Sequence, residues 1–212
     1  MITFQDWLQE SAKHGGVNLV FESGMYSLVN DLDGIVKALI EAGVLFEVVG
    51  GVAVNAHILA HHRSRSFVTR DIDLLVRRSD LERISKAAET LGYRARKMMG
   101  GYMLIRPDQE AGEAIHLLFV GEKSKSTQPY ANPELHPVEI QLFGITVPIA
   151  SLSDLLHMKL NAMRPKDLTH IEILDEVGLI TGNLERELPE VLRERLAEAR
   201  RIIVESKPDV ED

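Results

Sequence analysis

Two aspartates separated by one residue are the strongest chemical signal in the sequence. Asp71 and Asp73 stand at the start of a short apolar run, Ile72–Val76. Alternate side chains of a β-strand share a face, so both carboxylates point the same way, about 7 Å apart. Two such carboxylates repel each other, and bound Mg²⁺ or Mn²⁺ relieves that repulsion while also holding phosphate oxygens. The spacing therefore predicts a metal site for a phosphate-bearing substrate.

A pair of glycines precedes these aspartates. Gly50 and Gly51 follow the apolar run Val44–Val49 and come before the helical pattern Val52–His61. Glycine lets backbone amides approach a ligand closely, and the free N–H groups at a helix start suit phosphate. Each motif alone is more often a plain turn or an exposed strand end. Together, joined by the arginine-rich connection Arg63–Arg78, they predict a metal-dependent phosphate site.

Composition sets the class of protein that could carry this site. The chain has 212 residues, 45% of them hydrophobic, which predicts one globular domain with at most a small extension. No apolar run approaches the roughly 20 residues of a membrane span, and the N-terminus does not resemble a signal peptide. The absence of cysteine fits a cytoplasmic protein. A net charge of −8 argues against a protein that coats nucleic acid.

The order of helical and strand patterns predicts an α+β fold, with a mixed β-sheet core, flanking helices and a helical C-terminal part. We expect N-terminal helices over 1–43, the core over 44–150, C-terminal helices over 151–204 and a disordered tail over 205–212. A helix at Thr3–Lys13 and a capping box at Ser79–Glu82 belong to this prediction. The strands are expected at Val44–Val49, Ile72–Val76, Tyr93–Met98, Tyr102–Ile105, Ile115–Val120, Val138–Phe143 and Ile145–Ile149.

The segments GGVAVNAH and RSRSFVTRDIDLLV resemble the signature of the DNA polymerase β-like nucleotidyltransferase superfamily. The sequence is more closely similar to small bacterial nucleotidyltransferase-like proteins, including the AbiEii toxins. Those proteins share an arginine and a threonine before the paired aspartates, here Arg65 and Thr69, and a later helix like Met158–Asp167. The resemblance covers roughly Val44 to Asp175.

The resemblance implies a role for each matching residue. Gly50 and Gly51 would hold a nucleoside triphosphate, with Asp71 and Asp73 binding Mg²⁺ or Mn²⁺ as catalytic ligands. The further residues implied are Lys159 as a catalytic contact to phosphate or acceptor, Arg65, Thr69 and Arg164 in nucleotide binding, Asp167 at a late acidic position of the nucleotide site, and Lys166 as a weaker contact.

One position departs from the superfamily pattern. Many members carry a third carboxylate on a neighbouring strand, and the strand that matches best here has His116 in that place. The third carboxylate is dispensable, or His116 replaces it as the catalytic base, or the register is mistaken. A histidine hydrogen-bonded inside the sheet is the structural alternative.

Several functions stay open on the sequence. The resemblance implies transfer of a nucleoside monophosphate from a nucleoside triphosphate to a tRNA, a protein or a small molecule. A non-catalytic module that binds a nucleotide or a partner is the alternative, which His116 favours. A third reading is the toxin of a toxin–antitoxin pair, with an antitoxin as partner. The run that contains His57, His61 and His62 offers a helical pair of histidines for zinc, but a third ligand is not within evident reach of that pair.

Overall fold

The computed structural model describes residues 19–61, 69–98, 101–107, 114–142 and 144–207, and side chains in the first helix from residue 27 onward. Seven helices lie in these ranges: α1 (Leu19–Glu41), α2 (Gly50–His61), α3 (Leu81–Glu89), α4 (Leu152–Ala162), α5 (Pro165–Glu176), α6 (Gly182–Glu187) and α7 (Glu190–Ser206). The strands are β1 (Phe46–Val49), β2 (Ile72–Val76), β3 (Arg94–Met98), β4 (Gly101–Ile105), β5 (Ile115–Phe119), β6 (Val138–Leu142) and β7 (Ile145–Ile149).

The strands form one mixed sheet in the order β3-β4-β5-β2-β1-β7-β6. Strand β2 lies between β1, with which it pairs antiparallel, and β5, with which it pairs parallel. The register sets Asp73 opposite Val49 on one side and opposite His116 on the other. The predicted α+β class with a mixed sheet is confirmed.

Two groups of buried side chains hold the sheet. The larger one joins α1, α2, the C-terminal helices and one face of the sheet, and Leu32, Ile35 and Leu39 of α1 are almost completely buried in it. The smaller group consists of Val49, Leu75, Leu135 and Ala150. Met158 of α4 packs against this smaller group, so α4 lies over the part of the sheet that contains the end of β1.

The predicted strands are all present, with ends that differ by at most two residues. The capping box at Ser79–Glu82 is wrong. Arg78–Asp80 forms a 3₁₀ turn, α3 begins at Leu81, and no side chain caps its first turn. Ser79 lies inside the 3₁₀ turn, so the residue that precedes α3 is Asp80, and the Asp80 carboxylate pairs with Arg83.

The C-terminal part differs from the sequence prediction in two places. The short helix α6 was not predicted, and α7 continues through Glu205 and Ser206, which were assigned to a disordered tail. The predicted helix at Thr3–Lys13 and the tail after residue 207 lie outside the described residues. The proposed division into domains stays a prediction. Within the described ranges, none of the helices has the length and apolar character needed to cross a membrane.

A buried carboxylate interrupts the apolar surface of β1. Glu47 is completely shielded from solvent, and its Oε1 accepts a hydrogen bond from the backbone N–H of His136. Its Oε2 has no hydrogen-bond partner among the described residues. Burial raises the pKa of Glu47 from 4.5 to about 7, although the His136 N–H opposes the rise.

This pKa predicts a pH dependence of stability. Between pH 4.5 and about 7, folded Glu47 retains a proton that the unfolded chain has released. Stability falls with rising pH wherever the folded state binds more protons, so Glu47 disfavours the fold increasingly across this window. Glu47→Gln removes this contribution. We expect the variant to gain stability relative to the parent as the pH rises from 4.5 to about 7 in urea unfolding. A difference that does not change with pH would contradict the assignment.

Candidate functional site

Asp73 lies at the centre of the candidate site. It stands second in β2, with its side chain mostly shielded from solvent, and its Oδ1 accepts a hydrogen bond from His116 Nδ1 at 3.1 Å. Burial on its own would raise the pKa of Asp73. The hydrogen bond and charge of His116, together with the positive charges of Lys166 and Lys159, outweigh burial and lower the pKa. Asp73 is therefore an anion at neutral pH.

Gly50 fits against this carboxylate. A Cβ atom added to Gly50 would stand 1.9 Å from Asp73 Oδ2, and Gly50 has a left-handed φ of 70°. Both observations require glycine, because other residues adopt this backbone conformation at a cost and no side chain fits the space. The two glycines were predicted as a turn before a helix, but Gly50 and Gly51 are the first residues of α2. The helix therefore begins directly beside Asp73.

Asp71 immediately precedes β2 and is partly exposed. Its charge, like that of Asp73, contributes to raising the pKa of His116, so the three groups lie within electrostatic reach of one another. Mg²⁺ prefers oxygen ligands and is usually bound by one or two carboxylates together with waters and substrate phosphates. Asp71 and Asp73 fit that pattern. The described residues contain no group of three or more His, Asp or Glu side chains that could hold a metal ion without substrate.

His116 lies directly beside Asp73 on the neighbouring strand β5. It is the residue that the sequence has at the position where many superfamily members carry a third carboxylate. The hydrogen bond to Asp73 raises its pKa against the opposing effect of burial, and the charges of Asp73 and Asp71 add to the rise. Its second ring nitrogen, Nε2, is buried and has no hydrogen-bond partner in the described part of the chain. A buried polar atom without a partner calls for an explanation, and such atoms are often found at functional sites.

Lys159, Arg164 and Asp167 form an ion cluster where α4 meets α5. Lys159 Nζ lies 3.1 Å from Asp167 Oδ1, and Arg164 Nε lies 2.7 Å from Oδ2 of the same carboxylate. Both members of the Lys159–Asp167 pair are almost fully buried, whereas Arg164 is half exposed. Burial lowers the pKa of Lys159, although the charge of Asp167 opposes this. Asp167 thus orients the two cations and is not itself open to a ligand.

One cleft brings most of these residues together. Gly50, Asp73, Lys159 and Arg164 all line it, although they come from α2, β2, α4 and the turn before α5. The segment 121–137 contributes a further wall of the cleft. Its side chains at the cleft are those of Ser124, Lys125, Gln128 and Asn132. The segment is rich in amide and hydroxyl side chains and lies between two predicted strands, and this composition could have indicated a binding surface.

Other predicted residues lie elsewhere. Thr69 is partly buried just before β2 but does not line the cleft, and Arg65 lies outside the described residues. His57 Nε2 contacts the backbone oxygen of Ala150 at 2.9 Å inside the core, which is the arrangement of a structural histidine. His62 is also outside the described residues, so the zinc alternative gains no third ligand among those described.

Comparison with solved structures gives the fold a class. The chain is similar to a nucleotidyltransferase-like protein from Paracoccidioides brasiliensis, with 14% identity and a TM-score of 0.50, over 85% of this chain and 88% of that one. It also matches the antibiotic-resistance factor ANT(2″)-Ia, with 16% identity, a TM-score of 0.46 and coverage of 84% and 85%. A third match is the lincosamide antibiotic adenylyltransferase LnuA, with 13% identity, a TM-score of 0.40 and coverage of 85% and 97%.

No protein-family model and no curated protein sequence matches the chain. The AbiEii group that the sequence resembles is not shown by these comparisons. At these identities the likeness concerns the fold. The described chain therefore has a nucleotidyltransferase-like fold.

Proposed function

We propose that the chain is a metal-dependent nucleotidyltransferase, which moves a nucleoside monophosphate from a nucleoside triphosphate to an acceptor hydroxyl and releases pyrophosphate. The observation that carries the proposal is the packing of Gly50, at the start of α2, against the ionised carboxylate of Asp73. A helix N-terminus favours phosphate, and a carboxylate beside it needs a cation before phosphate can approach. A metal–triphosphate complex satisfies both groups at once.

Each residue of the cleft then has a definite part. The backbone at Gly50 and Gly51 faces the phosphates, and Asp71 with Asp73 holds Mg²⁺ or Mn²⁺. The metal supplies charge neutralisation at the transferred phosphate. Arg164 and Lys159, oriented by Asp167, add positive charge on the α4 side of the cleft. Thr69 and Arg65 remain proposed nucleotide contacts on the segment that leads into β2.

His116 is proposed as the group that accepts the acceptor's proton. Its Nδ1–H donates to Asp73, which leaves Nε2 as the basic nitrogen in the neutral tautomer. The two carboxylates by themselves favour the protonated ring, whereas bound cations favour the neutral one, so the base becomes active when metal and nucleotide are present. The protonation state of His116 would thus couple substrate binding to the chemical step.

Transfer of label tests the proposal directly. The protein is incubated with each α-labelled nucleoside triphosphate, Mg²⁺ or Mn²⁺, and an extract that contains RNA, proteins and small molecules. We expect a labelled product whose formation requires metal and is lost in Asp73→Ala. The chemical nature of the product identifies the acceptor. If the parent and Asp73→Ala give the same labelling, the activity does not come from this site.

Replacement of His116 separates a catalytic role from a structural one. His116→Ala is expected to lower turnover by about 10² or more, with little change in triphosphate affinity, because a positioned base contributes that much to proton transfer. His116→Asp should recover part of the rate, since it restores a proton acceptor at the same place. Steady-state kinetics and thermal unfolding are measured together. Unchanged turnover combined with a lower melting temperature would make His116 a structural residue.

A non-catalytic binding module is the second candidate function. It is favoured by the hydrogen bond between His116 and Asp73, which engages one carboxylate oxygen that a catalytic metal would also use. This candidate predicts metal-dependent triphosphate binding with no labelled product from any acceptor. The resemblance to AbiEii toxins adds a narrower proposal, that a neighbouring gene encodes an antitoxin. Expression of the chain alone should then arrest growth, and co-expression of that neighbour should restore it.

A further inference from the structure

We propose that the segment 121–137 is the nucleobase-selecting wall of the cleft, with Gln128 and Asn132 as the residues that read the base. The inference rests on the proposed function, because it assumes that a nucleoside triphosphate occupies the cleft beside Asp73. It assigns a specificity role to two side chains outside the motifs by which the sequence was compared. Both residues line the cleft, and both are at least nine-tenths buried.

The wall is held rigidly on two sides. Asn132 Nδ2 donates to the backbone oxygen of Phe119 at 3.0 Å, which ties the segment to the end of β5. Asn161 of α4 bonds both backbone groups of Tyr130, accepting from its N–H at 3.0 Å and donating to its oxygen at 2.8 Å. Such anchoring supports selectivity, because polar groups discriminate between ligands only when they cannot move to suit each one.

The backbone partners also fix how the two amides are turned. Gln128 accepts a hydrogen bond from the backbone N–H of Lys125 at 3.1 Å, so the atom engaged there must be its oxygen. Its Nε2 therefore remains as a donor. Asn132 donates to a carbonyl oxygen, so its Oδ1 remains as an acceptor. Neither remaining atom has a hydrogen-bond partner in the described ranges, which leaves one donor and one acceptor for a ligand.

The same cleft also has an apolar part. Leu155, Met158 and Ala162 of α4 contribute it, next to the cations Lys159 and Arg164 and together with the amides of the segment 121–137. A nucleobase has apolar ring faces and an edge that combines donors with acceptors, so this pairing of surfaces fits a base better than a phosphate or a sugar. Specific pockets typically combine apolar lining with a few placed polar groups in this way. In this proposal the phosphates of the nucleotide lie beside Gly50 and Asp73.

Lys125 has a different role on the same wall. It is exposed, its backbone is held by Gln128, and its side chain forms no ion pair with the described residues. An ammonium group carries charge but no pattern of donors and acceptors that distinguishes one base from another. Lys125 should therefore strengthen binding of every triphosphate alike. The expected effect of replacing Lys125, which is equal for all triphosphates, is therefore the reference for the unequal effect expected of Gln128.

The test measures dissociation constants of ATP, GTP, CTP and UTP with Mg²⁺ by calorimetry. Gln128→Glu keeps an oxygen for the Lys125 N–H but replaces the free donor by an acceptor. We expect the parent to prefer some bases, and this variant to change the affinity ratio between preferred and disfavoured bases by about tenfold or more, because a buried polar group loses its partner. Lys125→Ala should weaken all four by one common factor. Gln141→Glu, an exposed change on β6, controls for the added charge.

The outcomes separate the two proposals. Binding of triphosphates by the parent without base preference, or a Gln128→Glu variant that changes all four affinities by the same factor, overturns base selection while leaving the nucleotide site in place. Absence of binding to any of the four overturns the proposed function, and base selection with it. If Gln128→Glu does not fold, Gln128→Met keeps the side-chain length without the donor and is expected to reduce the base preference to within about twofold.

Discussion

Replacement of Gly50 by alanine is expected to lower the free energy of unfolding by about 3 kcal/mol or more, because it combines backbone strain with overpacking. The added Cβ would meet Asp73 Oδ2 at 1.9 Å and Asp73 Cβ at 2.9 Å, so either α2 or β2 must move. Any such movement separates the start of α2 from the carboxylate. If Mg²⁺ and triphosphate bind in this cleft they should raise the melting temperature of the parent, and we expect that rise to be absent in the variant.

Gly144→Ala is the matched control for this prediction. Gly144 also has a left-handed φ, of 87°, but a Cβ there would meet no atom within 4 Å. Only the cost of the conformation then applies, about 1 kcal/mol, and nucleotide-dependent stabilisation should be retained. Urea unfolding and thermal shift are measured for both variants. Equal losses of stability in the two would mean that the contact between Gly50 and Asp73 relaxes without cost.

Replacement of Lys159 by methionine is expected to cost about 3–5 kcal/mol of stability, because removing one partner of a buried ion pair leaves the other charge uncompensated. Asp167 is completely buried, and its remaining partner, Arg164, is half exposed. The loss should shrink at low pH, where Asp167 takes up a proton. Chemical unfolding of the parent and variant at several pH values measures both effects.

A double-mutant cycle isolates the pair. Asp167→Asn keeps an oxygen for the backbone N–H of Arg164 at the start of α5 but removes the charge. The double variant Lys159→Met/Asp167→Asn should therefore recover much of the stability that either single change loses. Lys166→Met, a change at the exposed lysine next to Asp167, should alter stability by less than about 0.5 kcal/mol. Additive single changes would show that the buried charges do not depend on each other.

Both predictions concern residues that belong to different elements. Gly50 at the start of α2 lies against Asp73 of β2, and Lys159 of α4 reaches Asp167 of α5 across the turn between the two helices. Sequence motifs named all four residues but did not pair them. The structure shows which of these candidate residues are in contact, and each contact can be tested by one substitution.

The sequence alone predicted the elements well where hydrophobic periodicity was strong. The strands Ile72–Val76 and Ile145–Ile149 were placed to the residue, because apolar runs act locally. The predicted cap of α3 was wrong by one residue, since Ser79 lies in a 3₁₀ turn and Asp80 precedes the helix. Local alternation also predicted Asp71 and Asp73 on one face of a strand, but β2 begins at Ile72, so Asp73 lies in the strand and Asp71 immediately precedes it.

Only the tertiary structure decided which groups meet. The pairing of β2 with β5 sets His116 beside Asp73, although 43 residues separate them, and no local pattern specifies a parallel partner or its register. The segment 121–137 became a wall of the cleft because Asn161 holds the backbone of Tyr130 and the Asn132 side chain donates to the oxygen of Phe119. The first of these contacts exists only after α4 has packed on the sheet, and the second only after the segment has folded back on the end of β5. Residue types determined what chemistry the chain could offer. Long-range packing determined which carboxylate, cation and amide share one cleft, because distance and burial are properties of the folded chain.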